Sequence, residues 1–189
     1  MGTSTNQASP NTPSWRLAKA VLGRKATPLE RQSQEIWQAA LADRAALLSS
    51  ELANPLLAEA CRLAERRLAV SNALESFHQR QTETYATSLI LEIGKRALAR
   101  ACAAQSGGRG FASELFSETA AYYVARDLPS VVGTRELAAT TSEAIRLKDA
   151  IKAIARNAAS TTKLITTDSE GWQAYVSNVV AALRRGSSE

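Results

Sequence analysis

Apolar positions recur along this chain at the three- and four-residue step of a buried helix face, in blocks separated by stop signals. Residues 84–104 place Ala86, Ile90, Ile93, Ala97, Ala101 and Ala104 on one face, with Gly94 where a neighbouring backbone can come close. The most regular block steps through Ala144, Leu147, Ile151, Ile154 and Ala158 behind a capping box of Thr140 and Glu143. A final helix over 169–185 aligns Trp172, Val176, Val179 and Leu183, capped by Thr167 or Asp168. A helix over 55–81 carries Leu56, Leu63, Ala64, Leu68, Leu74 and Phe77 and is expected to bend near Ser71-Asn72. Phe111, Leu115, Phe116, Tyr122, Tyr123 and Val124 belong to a helix over 111–127.

The punctuation agrees with these blocks. Ser14 can cap a short helix over 15–22 that Gly23 ends. Thr27-Pro28-Leu29-Glu30 opens a second helix, with Pro28 at its first position and Glu30 closing a capping box, and Asn54-Pro55 stops it. Ser106-Gly107-Gly108-Arg109-Gly110 reads as the clearest break in the chain. Leu128-Pro129 ends the next helix, Val131-Val132-Gly133 forms an apolar connector, and the threonine-rich 161–167 is a loop or a brief extended piece. Residues 1–13 are polar, uncharged and contain two prolines, the pattern of a mobile tail. The expected fold is all-α: an irregular multi-helix bundle with a disordered N-terminal tail. An N-terminal helical layer over 14–105 continues into a C-terminal helical subdomain over 111–189.

Composition narrows this picture. At 189 residues with 45% hydrophobic, 22% charged and only 5% aromatic positions, the chain suits one domain of close-packed helices. A net charge of +5 permits contact with nucleic acid or an acidic partner without requiring either. Cys61 and Cys102 each stand alone in an alanine- and leucine-rich run, so they read as small buried hydrophobes in a reducing cytoplasm. No apolar run is long enough to span a bilayer, no signal-peptide pattern opens the chain, and Asn6 stands where a myristoylation motif wants Ser or Thr.

Catalytic patterns are weak. His78 is the single histidine, which excludes paired-histidine chemistry and histidine-rich metal sites. Ser160-Thr161-Thr162-Lys163 fits a serine-x-x-lysine pattern but lacks its companion motifs. Gly107-Gly108-Arg109-Gly110 lacks the Lys-Ser/Thr ending of a phosphate-binding loop and follows a helix instead of a strand. Glu75, Glu83 and Glu92 are dispersed on helix faces beside Arg80 and Lys95, as solvated surfaces require. The expectation is no enzyme, no cofactor and no metal, with an enzyme site assembled in an oligomer as a distant alternative. Two basic groups could neutralise phosphates: Arg16, Lys19, Arg24, Lys25 and Arg31, relieved by Glu30, and Arg146, Lys148, Lys152 and Arg156, relieved by Glu143 and Asp149. No recognised nucleic-acid motif accompanies either.

The chain opens Met1-Gly2-Thr3-Ser4, and removal of Met1 would leave Gly2 with an unhindered amine whose ordinary pKa is about 7.7–8.0. Pro13-Ser14-Trp15 closes the tail, and Trp15 can mark where it docks; Trp15 and Trp37 serve equally as anchors of the first two helices. These features resemble the opening of the B subunit of the Qat anti-phage defence system and related proteins with a Met-Gly-Thr-Ser start. The family tail is richer in glycine than Ser4-Thr5-Asn6-Gln7-Ala8-Ser9. The resemblance, confined to about the first fifteen residues, implies a non-enzymatic bacterial defence component. In it Gly2 accepts a deazaguanine-type base, and Thr3 and Ser4 are read by a queuosine-synthesis-like partner from the same operon. The alternative is a helical nucleic-acid-binding or regulatory protein using the basic faces.

Overall fold

The computed structural model describes residues 48–84, 86, 88–127 and 141–185. All regular structure among them is helical: residues 48–52, then α1 (Pro55–Glu65), α2 (Val70–Glu83), α3 (Leu89–Ala103), α4 (Gly107–Asp127), α5 (Thr141–Thr161) and α6 (Ser169–Arg185). Asn54 and Pro55 act as expected. The Asn54 side chain accepts from the Leu56 N–H at 2.9 Å, and Pro55 sits in the first turn, where its missing donor is harmless.

Three boundaries differ from those read in the sequence. The helix expected over 55–81 is two helices, broken at 66–69 and not bent at Ser71-Asn72, which lie inside the first turn of α2. The break occurs because Arg67 turns to φ +51, closing α1 with its N–H on the Ala64 carbonyl at 3.0 Å. The helix expected from Thr84 begins at Leu89, where Ser88 accepts from the Leu91 N–H and supplies the cap. The glycine-rich stretch is no connector. The chain reverses over 104–106, and Gly107, Gly108 and Gly110 form the first turn of α4. Gln105 at φ +52 donates to the Cys102 carbonyl and Ser106 to that of Ala101, a paired closure that needs only three residues.

Helix α4 is the axle. It packs on α5, α3 and α1, while α2 lies on α3 and α1, and α6 on α5 and α1. Its surface is buried almost all round, including Ser113, Ser117 and Thr119. One continuous core runs from Leu48 to Leu183, so the two expected helical parts share it. Trp172 lies at its centre, its indole N–H donating to the Leu52 carbonyl at 2.7 Å. Its ring packs against Phe111 and Tyr175, with centroids 5.9 and 5.5 Å apart. Tyr175 in turn donates to the Ala159 carbonyl at 2.7 Å, tying α6 to α5.

The expected core faces hold in part: Leu68, Leu74, Ala86, Tyr122 and Tyr123 are only half-buried. Val176, Val179 and Leu183 are buried as read, and so are Ile90, Ile93, Ala97 and Ala101, whereas Ala104 is exposed. On α5 the buried line is Ile151, Ala155 and Ala159, with Ile154 and Ala158 only half-buried, so the helix is rotated from its expected face. Gly94 admits a side chain and not a backbone: a Cβ there would strike the fully buried Leu57 of α1.

Candidate functional site

Three chain reversals meet at one end of the bundle: the α1–α2 break, the α3–α4 turn and the α5–α6 loop. Between them lies a cleft of about 730 Å³ walled by Arg62, Glu65 and Arg67, by Ser106, Gly107 and Arg109, and by residues 164–168. That volume lies within the range of small-ligand pockets.

Each wall has a local cause. Glu65, at the last turn of α1, accepts from the Gly108 N–H at 2.6 Å and so caps the start of α4 from another helix. The Cys61 thiol donates to the Gly108 carbonyl at 3.5 Å. Burial first, and then the charge of Glu65, push this thiol up to about 12, so it stays protonated and unreactive. Gly108 permits the approach, since a Cβ there would sit 2.9 Å from Glu65 Oε2 and 3.0 Å from Cys61 Sγ. On the opposite wall Asp168 accepts from the Gly171 N–H at 2.7 Å and caps α6, one of the two caps expected. Burial lifts the Tyr175 phenol above its ordinary range, and Cys61 adds to the rise while Arg109 opposes it.

The cleft carries charge of both signs. The carboxylates of Glu65 and Asp168 each accept from a helix N-terminus, and Arg62 pairs with Glu59 at 2.6 Å. Arg67 and Arg109 are exposed and form no ion pair among the described residues. The segment 163–167 runs between α5 and α6 without a hydrogen bond among the described residues. Leu164 packs against the core, while Ile165 is 78% exposed.

The residues singled out in the sequence fall elsewhere. Gly2, Thr3, Ser4, Trp15, Arg16, Lys19, Arg24, Lys25 and Arg31, with Trp37, Thr140 and Val131-Val132-Gly133, lie outside the described residues. Lys152 binds Glu118 at 3.0 Å and Arg156 binds Glu114 at 2.8 Å. Arg100 of α3 bridges the same two carboxylates, so α3, α4 and α5 share an ionic ladder. The carboxylates that Lys152 and Arg156 hold are thus on α4; the side chain of Glu143 lies outside the described ones. Arg146 is exposed and Lys148 half-buried. His78 is exposed, Cys61 and Cys102 are buried, and Ser160 to Lys163 straddle the C-terminal end of α5. No three of His, Cys, Asp and Glu converge as a metal site among the described residues, and no described helix is long and apolar enough to cross a membrane.

Sequence reading missed Arg67, Arg109 and Glu65 because they come together only through the reversals. Two signals pointed nearby: the Gly107-Gly108 pair, read as a connector, and the β-branched run Ile165-Thr166-Thr167. No family model, curated protein or solved structure matches this chain.

Proposed function

We propose that this chain is a non-enzymatic, cytoplasmic component of a bacterial anti-phage defence system, an adaptor or substrate whose helical body docks a partner protein while Gly2 is modified or bound. The observation that carries the reading is the Met1-Gly2-Thr3-Ser4 start on a polar, uncharged tail ending in Pro13-Ser14-Trp15. Glycine suits the acceptor role because no side chain crowds its amine in an enzyme's pocket. The partner of this reading is a queuosine-synthesis-like enzyme from the same operon, and Thr3, Ser4 and Trp15 are the residues it reads.

The pairing of Lys152 and Arg156 with Glu118 and Glu114 supports a protein partner over nucleic acid. Two of the four cations on that face already hold carboxylates, which weakens any attraction for phosphates. Intact-mass measurement of the protein co-expressed with its neighbouring genes tests the reading. The expected result is an N-terminal peptide that lacks Met1 and is heavier than encoded. Gly2→Pro or deletion of 2–12 should abolish function without lowering the melting temperature. An unmodified N-terminus in the active assembly, together with full activity of the deletion, would overturn it.

A further inference from the structure

The cleft between the three reversals holds charges of both signs that do not neutralise one another in contact. Glu65 and Asp168 each give one oxygen to a backbone N–H, of Gly108 at 2.6 Å and of Gly171 at 2.7 Å. Accepting such a bond leaves a carboxylate its charge, and the second oxygen of each has no hydrogen bond among the described residues. Arg67 and Arg109 are exposed and form no ion pair among the described residues, with these carboxylates or with others. Two guanidiniums and two carboxylates thus line one concave surface unpaired.

That pattern selects by charge. An anion such as phosphate is drawn to the guanidiniums but meets two carboxylates, and a polyamine meets two guanidiniums. A molecule with an ammonium at one end and a carboxylate at the other satisfies both sets at once. The carboxylates are positioned beforehand by their N–H bonds, so little order is lost when an ammonium meets their free oxygens. Arg67 is held there against its backbone preference: its φ of +51 lies where glycine moves freely and a residue with a side chain does not. Leu164, half-buried, and Ile165, 78% exposed, make one wall apolar. At about 730 Å³ the cleft has room for an amino acid or a short peptide.

From this juxtaposition we infer that the cleft binds a zwitterion of the α-amino acid class, a free amino acid or a short peptide. Its carboxylate lies toward Arg67 and Arg109, its ammonium toward Glu65 and Asp168, and an apolar side chain against Ile165. The inference goes beyond the partner-docking reading and does not depend on it.

Isothermal titration calorimetry of the full chain provides the test, with glycine, leucine, phenylalanine, leucyl-leucine and glycyl-leucyl-leucine as probes. At least one apolar probe should bind saturably and more tightly than glycine, and the ranking of single residues against peptides names the source of the ligand. N-acetylation of the best probe, and separately amidation of its carboxylate, should each weaken binding by about tenfold or more, with the protein unaltered. Arg67→Gln with Arg109→Gln should weaken binding of the free acid by a similar factor and of its amide far less. Circular dichroism of that variant should match the parent, both side chains being exposed. No saturable binding of any probe at millimolar concentration would overturn the inference, as would affinity indifferent to acetylation, to amidation or to the two arginines. Tighter binding of inorganic phosphate or of spermidine than of the best probe would do the same, assigning the cleft to a ligand of one sign. A modified Gly2 in an active assembly whose protein binds no probe would sink this inference and leave the adaptor reading standing.

Discussion

Gly108→Ala separates a glycine pair that merely loosens a connector from one that seats a helix. In a connector, alanine would be neutral or stabilise by about 0.4–1 kcal/mol by restricting the unfolded chain. In the structure the new Cβ would lie 2.9 Å from Glu65 Oε2, 3.0 Å from Cys61 Sγ and 3.2 Å from the Cys61 carbonyl oxygen. The carboxylate can swing aside, but the carbonyl belongs to the backbone of α1 and cannot. Such overpacking costs about 1–3 kcal/mol. Displacing the turn also weakens the Gly108 N–H bond to Glu65, a charge-assisted bond of a kind that contributes about 1.5–3 kcal/mol. Alanine's helix preference returns at most about 1 kcal/mol. The expected net loss is about 2–3 kcal/mol, which at this chain length lowers the melting temperature by roughly 5–10 °C. Urea denaturation of the single variants and the Gly108→Ala/Cys61→Ala double variant gives the coupling. Removing Sγ should reduce the cost of the alanine by about 1 kcal/mol, as residues in contact do. A Gly108→Ala protein as stable as its parent, or strictly additive substitutions, would refute the packing of α4 on α1.

Other expectations follow from single contacts. Trp172→Phe keeps a ring in the core but strands the Leu52 carbonyl that the indole N–H satisfies, so chemical denaturation should show a loss of about 1–3 kcal/mol. Gln105→Gly relieves a non-glycine residue at φ +52 and should raise stability by about 0.5–1 kcal/mol in a thermal melt; a lower melting temperature would contradict the turn geometry. Burial alone would raise the Glu118 carboxyl, but hydrogen bonds and charge from Lys152 and Arg100 outweigh it and hold it below the usual carboxylate range. A depressed folded-state pKa stabilises the protein above the unfolded value of about 4.3, and that contribution is lost as pH falls through the folded one. Unfolding free energy should therefore fall on acidification below about pH 4–5, and Glu118→Gln should flatten that part of the profile.

The all-α class, the stop at Asn54-Pro55, and the extent and buried stripe of the final helix were legible in the sequence. Each is written in residues a few positions apart: a proline with its cap, or Trp172, Val176, Val179 and Leu183 at helical steps. A helix end or face is a local property, so local pattern determines it. The break at 66–69 was not legible, because nothing in Arg66-Arg67-Leu68-Ala69 marks a left-handed turn; packing of α1 and α2 on α3 imposes it on Arg67. Gly107-Gly108 reads as a linker until Glu65, 43 residues away in sequence, caps the turn they form. Lys152 and Arg156 read as a free basic stripe until Glu118 and Glu114, 34 and 42 residues away, are laid beside them. The cleft belongs wholly to this second kind of information. Which carboxylates and guanidiniums face one another across it is decided only by the tertiary arrangement of the three reversals, because the residues that carry them are far apart in sequence.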